Sequence, residues 1–253
     1  PDTPRGTLTG TIKDQDTSAA LAGVTVAFGG HTSGFGGDLV ATTAADGTYT
    51  ISGILPGTYA KVSARGIGYD QREKTLSISS HTVREDWVIR RNWASASGGG
   101  SVVSVTGPDL SIAGCGPGSL IDHPAAAGWL SVIAPTPPDT VLRLARAVDI
   151  AELVINPAGT CGAGPSAAVG KFRVETSPDG VTWTEAATGQ FPSGAATPTA
   201  VPLSAGVTDV AFVRYTMLTT QAQDAGLCVP GGPVIYGCYF LSTTELSVYG
   251  VAR

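Results

Sequence analysis

The sequence KFRVETSPDGVTWTEAATGQF, residues 171–191, predicts a β-hairpin. Apolar and charged residues alternate in its first five positions, which is the two-residue period of a strand with one face in a core and one in water. The next four residues, SPDG, favour a turn because Pro presets φ, Asp bonds back to its own backbone and Gly accepts positive φ. A second strand is predicted through Val181, Trp183 and Glu185.

This hairpin resembles the central hairpin of discoidin-like domains, also described as F5/8 type C or galactose-binding-like. Ser119–Asp122 (SLID) and Gly128-Trp129 match, in order, the A-x-D-G and T-x-W positions of that family, and Thr244–Gly250 (TELSVYG) matches its closing S-E-L-x-V-Y-G. The resemblance implies a jelly-roll β-sandwich over residues 92–253. It also implies noncatalytic binding of glycans or cell surfaces.

Residues 1–91 carry short alternating segments separated by turn signals, as a β-sandwich requires. The run GTLTGTIKD, then LAGVTV, then ADGTYTISGILPGTY, resembles the carboxypeptidase regulatory-like domain. That resemblance implies a transthyretin-like β-sandwich, so the expected fold class is all-β, with this sandwich followed by the jelly roll. The tandem is similar to the C-terminal regions of secreted actinobacterial fungalysin-type metallopeptidases, in which the zinc catalytic domain lies upstream.

The composition agrees with a secreted β protein. The 253 residues include 34 Gly and 17 Pro, which favours short strands joined by turns. A net charge of −5 and the lack of any basic run argue against a nucleic-acid partner or an anionic membrane surface. No apolar stretch is long enough to span a bilayer, so we expect an extracellular protein without a membrane span.

Catalytic motifs are absent from the sequence. It contains no H-E-x-x-H and no G-x-S-x-G, and its three histidines, His31, His81 and His123, have no metal-ligand spacing. We therefore expect no enzymatic activity from this chain.

The four cysteines all lie in the second domain. Cys228 and Cys238 flank one Gly- and Pro-rich loop, whereas Cys115 and Cys161 each lie in a separate Gly-rich loop. Four cysteines allow three pairings, and these positions favour Cys115 with Cys161 and Cys228 with Cys238. Their spacing is not C-x-x-C, so a disulfide framework is favoured over a zinc site.

The discoidin resemblance implies a structural Ca²⁺ site at Asp122 and Glu245. Carboxylate oxygens are ligands that Ca²⁺ prefers. Two departures weaken the match, because His123 replaces a Gly and Ala127 replaces a Thr ligand of the family. The sequence leaves open whether the two carboxylates hold Ca²⁺ or form an ordinary salt bridge or hydrogen bond.

The resemblance also places ligand contacts on loops at one end of the jelly roll, often with an exposed aromatic ring against a sugar. The candidate contacts lie around the second cysteine pair and in the adjoining loop: Tyr236, Tyr239, Phe240, Gln221 and Gln223. The alternative for the tyrosines is packing against the Cys228–Cys238 bridge. Trp129 and Trp183 match core positions of the family, so both are expected to be buried.

Two function classes follow. The first is a noncatalytic accessory region of a secreted protein that binds a glycan, a cell wall or a substrate polymer. The second is a self-assembling extracellular structural or filament protein formed by a released fragment, a homopolymer in which the segment RGTLTGTI (residues 5–12) adds to a neighbouring sheet edge.

Two further segments carry open interpretations. The glycine-rich insertion 29–38, with His31 and Phe35, is either a surface loop or a partner contact. Arg90 and Arg91 lie either at a domain seam or in a solvated turn.

Overall fold

A computed structural model of the chain describes residues 4–28, 39–108, 110–122 and 127–253. The chain divides into two compact units, Pro1–Arg91 (unit 1) and Asn92–Arg253 (unit 2). The insertion that contains His31 and Phe35 lies outside the described residues, as does His123.

Unit 1 is a sandwich of two four-stranded sheets. In the first sheet β1 is flanked by β4 on one side and by β7 and β8 on the other, and the second sheet has the order β3-β2-β5-β6. Its strands are β1 (Gly6–Asp14), β2 (Thr25–Phe28), β3 (Val40–Thr42), β4 (Thr48–Ile54), β5 (Gly57–Arg65), β6 (Arg72–Ile78), β7 (Thr82–Arg84) and β8 (Trp87–Ile89).

The first strand shows how the sequence pattern forms this core. Every second residue of β1 is buried, and Leu8 and Ile12 are fully covered. Trp87 packs in the same core and donates from its indole Nε1 to the Tyr49 hydroxyl at 3.0 Å. Buried aromatic groups with a polar atom need such a partner, which fixes the position of β8 against the first sheet.

The position of β1 corrects one expectation. The self-assembly hypothesis has residues 5–12 add as a strand to the sheet edge of a neighbouring molecule. Instead β1 is antiparallel to β4 on one side and parallel to β7 and β8 on the other. Its backbone groups are already used within the sheet, so this segment gives no support to self-assembly by strand addition.

The side chains of Arg90 and Arg91 contact other residues of unit 1. Arg90 pairs with Asp16 at 3.2 Å, and the guanidinium carbon of Arg91 lies 5.4 Å from the ring centroid of Tyr69. Both arginines are therefore engaged side chains rather than members of a solvated turn.

The regular structure in the described part of unit 2 is mostly strand, with five short 3₁₀ turns and one α-helix, α1 (Gln221–Asp224). Its strands are β9 (Ser101–Thr106), β10 (Trp129–Val132), β11 (Asp139–Asn156), β12 (Lys171–Ser177), β13 (Thr184–Gln190), β14 (Thr199–Val201), β15 (Val210–Met217), β16 (Phe240–Thr243) and β17 (Glu245–Ala252).

The long strand β11 organises unit 2. Its first part, to Arg143, pairs with β9 and β15, and its last part pairs with β14 and β17, with a register irregularity between Arg143 and Val148. The sheet continues from β15 through β12 to β13, while β10 and β16 form a separate two-stranded sheet. The residue pattern predicts two separate strands here, Val141–Leu144 and Ile150–Ile155, whereas the structure joins both in the one strand β11.

The core of unit 2 lies between these sheets. Trp129 is fully buried against Tyr215, with ring centroids 6.4 Å apart, and the Tyr215 hydroxyl lies 2.8 Å from Thr243 Oγ1. This confirms the expected burial of Trp129. The structure also confirms the predicted all-β class, with a β-sandwich in unit 1 and a jelly-roll β-sandwich in unit 2.

The hairpin of residues 171–191 differs from its prediction at the second strand. Asp179 accepts from the backbone N–H groups of Val181 and Thr182 at 2.8 and 2.7 Å, so the turn extends beyond Gly180. As a result β13 begins only at Thr184. Trp183 is half-buried on the outside of the sheet, which corrects the expectation that it belongs to the core.

The first residues of unit 2 bind to its last strand. Trp93 donates from its backbone N–H to Val248 O at 2.8 Å and from its indole to Gly250 O at 2.9 Å. Asn92 Oδ1 accepts from the Val248 N–H at 3.1 Å. The two ends of this unit therefore lie side by side on β17.

Candidate functional site

The loop between α1 and β16 carries the candidate ligand contacts. Its cysteines, Cys228 and Cys238, form a disulfide, and a second disulfide joins Cys115 to Cys161. Both predicted pairings are thus present. We call residues 228–240 the tyrosine loop.

Two aromatic side chains of the tyrosine loop face solvent. Tyr236 is 59% exposed and Tyr239 is 54% exposed. Phe240 is partly buried, with its ring centroid 6.2 Å from that of Tyr236. The two tyrosines therefore present their rings outward, and Phe240 supports Tyr236 from the side.

The backbone beneath these rings is fixed by close contacts. Gly237 donates to Ser166 Oγ at 3.1 Å, and its carbonyl accepts from Thr220 Oγ1 at 2.6 Å. A Cβ at position 237 would lie 1.9 Å from Ser166 O, so only glycine permits this approach. The disulfide and these contacts hold both tyrosines at a low cost in conformational entropy on binding.

A shallow pocket opens beside Tyr239. It has a volume of about 270 Å³ and is lined by residues 228–233 together with Cys238 and Tyr239. The lining combines the apolar side chain of Val229 and two prolines with the backbone of Gly231 and Gly232. Such a pocket offers apolar contact with backbone polar groups close by, which suits a small polar ligand with one apolar face.

The two glutamines of the predicted contact set have structural roles. Gln221 is 4% exposed, and its amide bonds to Gly194 N–H, Val169 O and Ala195 O. Gln223 closes the capping box of α1, because its side chain accepts from the Thr220 N–H at 2.9 Å. This corrects the prediction for Gln221, which cannot reach a ligand from its buried position.

The first disulfide lies in a small apolar cluster that supports the tyrosine loop. Leu130 donates to Cys115 O at 2.9 Å, which attaches the bridge to β10. The cluster consists of Cys115, Leu130, Ala163 and Ala167, with Leu110, Cys161 and Phe240 packed against them. Phe240 therefore connects the aromatic surface to the first disulfide.

The predicted calcium ligands lie on elements that pack together. Glu245 is the first residue of β17 and is 7% exposed, and Asp122 lies two residues after a 3₁₀ turn, Pro117–Leu120, that contacts β17. Asp122 itself is exposed. Two carboxylates on adjoining elements fit the oxygen-donor preference of Ca²⁺, so this site stays a prediction.

Within the described ranges no group of three or more His, Cys, Asp or Glu side chains is placed to hold a metal ion. His81 is exposed and its Nδ1 lies 3.1 Å from Ser80 Oγ. No helix among the described residues is long and apolar enough to cross a membrane.

Two exposed aliphatic residues beside the tyrosines were missed by sequence reasoning. Val229 and Val234 are 57% and 83% exposed. The signal was present, since both residues lie between glycines and prolines in a loop closed by two cysteines. Such a loop is too short and too rich in turn residues to fold its apolar side chains into a core.

Comparison with known families found a match within unit 1. Residues 7–86 match the carboxypeptidase regulatory-like domain. This range contains all the strands of the two sheets except Gly6 of β1 and the whole of β8. A search among curated proteins found no match for the chain.

Solved structures similar to the chain cover about three fifths of it. The C-terminal domain of a chitobiase from Bacteroides fragilis is 21% identical, with a TM-score of 0.44, and covers 61% of this chain and 95% of its own. The family 32 carbohydrate-binding module of Streptococcus pneumoniae EndoD is 16% identical, with a TM-score of 0.45. The match covers 63% of this chain and 99% of that module.

A third similar structure is CpGH89CBM32-5 from Clostridium perfringens, in complex with GalNAc-β-1,3-galactose. It is 15% identical, with a TM-score of 0.43, and covers 60% of this chain and 95% of its own. At identities and TM-scores this low, these likenesses establish no shared ligand.

Proposed function

We propose that this chain is a noncatalytic accessory region of a secreted protein and that unit 2 binds glycan through the tyrosine loop. The observation that carries the proposal is the pair Tyr236 and Tyr239, each more than half exposed on a loop closed by Cys228–Cys238. Neighbouring aromatic rings that are exposed together often mark a surface that contacts a partner. A sugar ring has one apolar face, and an aromatic ring packs on that face.

Besides the two aromatic rings, the loop supplies a fixed backbone and polar groups for binding. The disulfide and the bonds of Gly237 hold the backbone before a ligand arrives, so little conformational entropy is lost on binding. The backbone of Gly231 and Gly232 lines the pocket beside Tyr239, where carbonyl oxygens can accept from sugar hydroxyls.

Substitution of the tyrosines tests this function. Tyr236→Ala and Tyr239→Ala should each weaken retention on insoluble polysaccharide in a pull-down assay while leaving the melting temperature nearly unchanged, because both side chains are exposed. Tyr236→Phe keeps the ring and should retain binding. Trp183→Ala serves as the control for loss of an aromatic outside the loop, and it should bind like the wild type.

The result that contradicts the proposal is specific. If both tyrosine variants lower the melting temperature and leave retention intact, the rings are packing residues and the loop is not the binding site. Unchanged retention with an unchanged melt would also move the site elsewhere in unit 2.

We infer the wider context from the tandem arrangement. The combination resembles the C-terminal regions of secreted fungalysin-type metallopeptidases, and two disulfides fit an oxidising extracellular environment. Unit 2 would then hold the parent protein at a glycan, a cell wall or a substrate polymer. Mass spectrometry of the culture medium tests this, because peptides of this chain should belong to one secreted polypeptide with an upstream H-E-x-x-H segment.

A further inference from the structure

The end of unit 2 that carries the tyrosine loop is poor in charged residues. Four segments form it, and none contains Asp, Glu, Lys, Arg or His: residues 110–121, 127–138, 157–170 and 225–244. They include both disulfides and the two exposed tyrosines. We call them together the uncharged cap.

Backbone and side-chain bonds join the four segments into one surface. Each segment is tied to at least one other by a hydrogen bond, namely Leu130 N–H to Cys115 O at 2.9 Å, Ile133 N–H to Tyr239 O at 2.8 Å and Gly237 N–H to Ser166 Oγ at 3.1 Å. The absence of charge is therefore a property of a continuous structural region and not of one loop.

Charged residues adjoin each segment of the cap in sequence, among them Asp139, Lys171 and Glu245 directly after the last residues of three segments. Asp224 ends α1, where its carboxylate accepts from Thr219 Oγ1 at 2.8 Å and lies 3.8 Å from Lys171 Nζ. Asp122 follows the first segment directly in sequence. Asp109 and His123 also flank the cap in sequence, outside the described residues.

All the charged residues of unit 2 lie outside these four segments, which makes their absence here informative. The outer face of β12 and β15 alone carries Arg173, Glu175 and Arg214, joined by contacts of 3.3 and 3.5 Å. The cap thus lacks the charged side chains that the remaining surface of unit 2 could offer to a charged ligand.

We propose that the tyrosine loop binds uncharged polysaccharide, neutral or N-acetylated, and discriminates against polysaccharides that carry amines or carboxylates. This inference rests on the proposed glycan-binding function and narrows its ligand class. A charged sugar that packs against Tyr236 and Tyr239 loses water around its charge, and no side chain of the cap offers a counter-charge. A neutral sugar has no such cost, and its binding does not depend on ionic attraction.

Two matched pairs of polysaccharides test the ligand class with the full chain. Chitin and chitosan differ in N-acetylation, and methyl-esterified and de-esterified pectin differ in carboxylate charge. The wild type should be retained on the uncharged member of at least one pair about tenfold more tightly than on the charged member. Its retention there should stay constant between about 0.05 and 1 M NaCl, over which salt screens exposed charges.

A second test adds a charge to the cap and asks whether the loop then binds a charged polysaccharide. Val234→Lys adds a cation at an 83% exposed position of the loop and should create salt-sensitive retention on de-esterified pectin. Val181→Lys is the matched control, because Val181 is 80% exposed on the turn between β12 and β13. It should leave the retention pattern of the wild type unchanged.

The failures of the two proposals are distinguishable. If the wild type prefers a charged member, or loses retention as salt rises, while Tyr236→Ala abolishes that retention, glycan binding stands and the ligand class proposed here is wrong. If no member of either pair is retained, the proposed function fails and this inference falls with it.

Discussion

The guanidinium carbon of Arg214 lies 4.0 Å from the centroid of the Trp183 ring. Glu175 holds the guanidinium from the other side, with its Oε2 at 3.3 Å from Arg214 Nη1. The tryptophan is therefore clamped on the outside of the sheet by a cation–π contact rather than buried between the sheets. Its contribution to stability is that of a surface contact.

The first prediction compares this residue with Trp129. Trp183→Ala should lower the free energy of unfolding of unit 2 by about 1 kcal/mol, the size of a cation–π contact near the surface. Trp129→Ala should lower it by about 3 to 5 kcal/mol, because a fully buried indole leaves a cavity. Scanning calorimetry of both variants measures the difference, and equal losses would show that Trp183 is a core residue.

The second prediction concerns the two disulfides. Their cysteines are separated by 46 residues for Cys115–Cys161 and by 10 for Cys228–Cys238. Chain-entropy arguments give about 4 kcal/mol for the longer loop and about 3 kcal/mol for the shorter one. Replacing both cysteines of a pair by Ala should therefore lower the melting temperature more for 115/161, while the 228/238 variant should lose more glycan retention.

Non-reducing peptide mapping is the control for that comparison. The native protein should contain no free thiol and should yield the two cross-linked peptides. A free thiol, or a 228/238 variant with full retention, would contradict the assigned role of the tyrosine loop.

The third prediction is a pH dependence of the β12–β13 turn. The backbone N–H groups of Thr182 and Val181, with the Ser177 hydroxyl, lower the pKa of Asp179 to about 2. The unfolded chain has an ordinary aspartate pKa of about 3.9. The stabilisation by this carboxylate is thus complete above about pH 4 and is lost as the pH falls toward 2.

Asp179→Asn tests this dependence. The variant should melt at a lower temperature than the wild type at neutral pH. The difference between the two melting temperatures should narrow as the pH falls from 4 to 2. Glu185→Gln removes an exposed carboxylate from the same hairpin and controls for the change in net charge. A gap that stays constant across this range would exclude the turn as the origin of the effect.

The fourth prediction addresses calcium. If Asp122 and Glu245 hold Ca²⁺, chelation should lower the melting temperature of the wild type, since an ion that binds only the folded state stabilises it. Glu245→Gln, which keeps the size of this buried side chain, should melt at the same temperature with and without chelator. A wild-type melt that does not respond to chelation would remove calcium from unit 2.

The sequence predicted the strands best where apolar and polar residues alternate. In β1 and β12 this pattern places every second side chain in the core. It failed at Trp183, because the capping of the turn by Asp179 delays the start of β13 and no residue pattern reports that delay. It also failed at β11, where two separate strands were predicted in place of one continuous strand.

The candidate site was predicted less completely than the fold. The Cys228–Cys238 pair could be predicted from one Gly- and Pro-rich loop, whereas the sequence left open whether its tyrosines are exposed or packed against the bridge. The burial of Gln221 does not, since its partners Val169, Gly194 and Ala195 are distant in sequence. Side chains whose surroundings come from several loops are set by tertiary contacts that a single sequence does not display.

The bonds from Asn92 and Trp93 to Val248 and Gly250 have an evolutionary consequence. A unit whose first residues bond to its last strand keeps its two ends on one side of the fold, so it can be inserted into a surface loop of an unrelated host. It can also be circularly permuted, because a short linker joins its ends and a new break is tolerated in an exposed loop such as residues 192–198. Unit 2 therefore has the geometry of a transferable module, suited to gene fusion as well as to recombination within longer polypeptides.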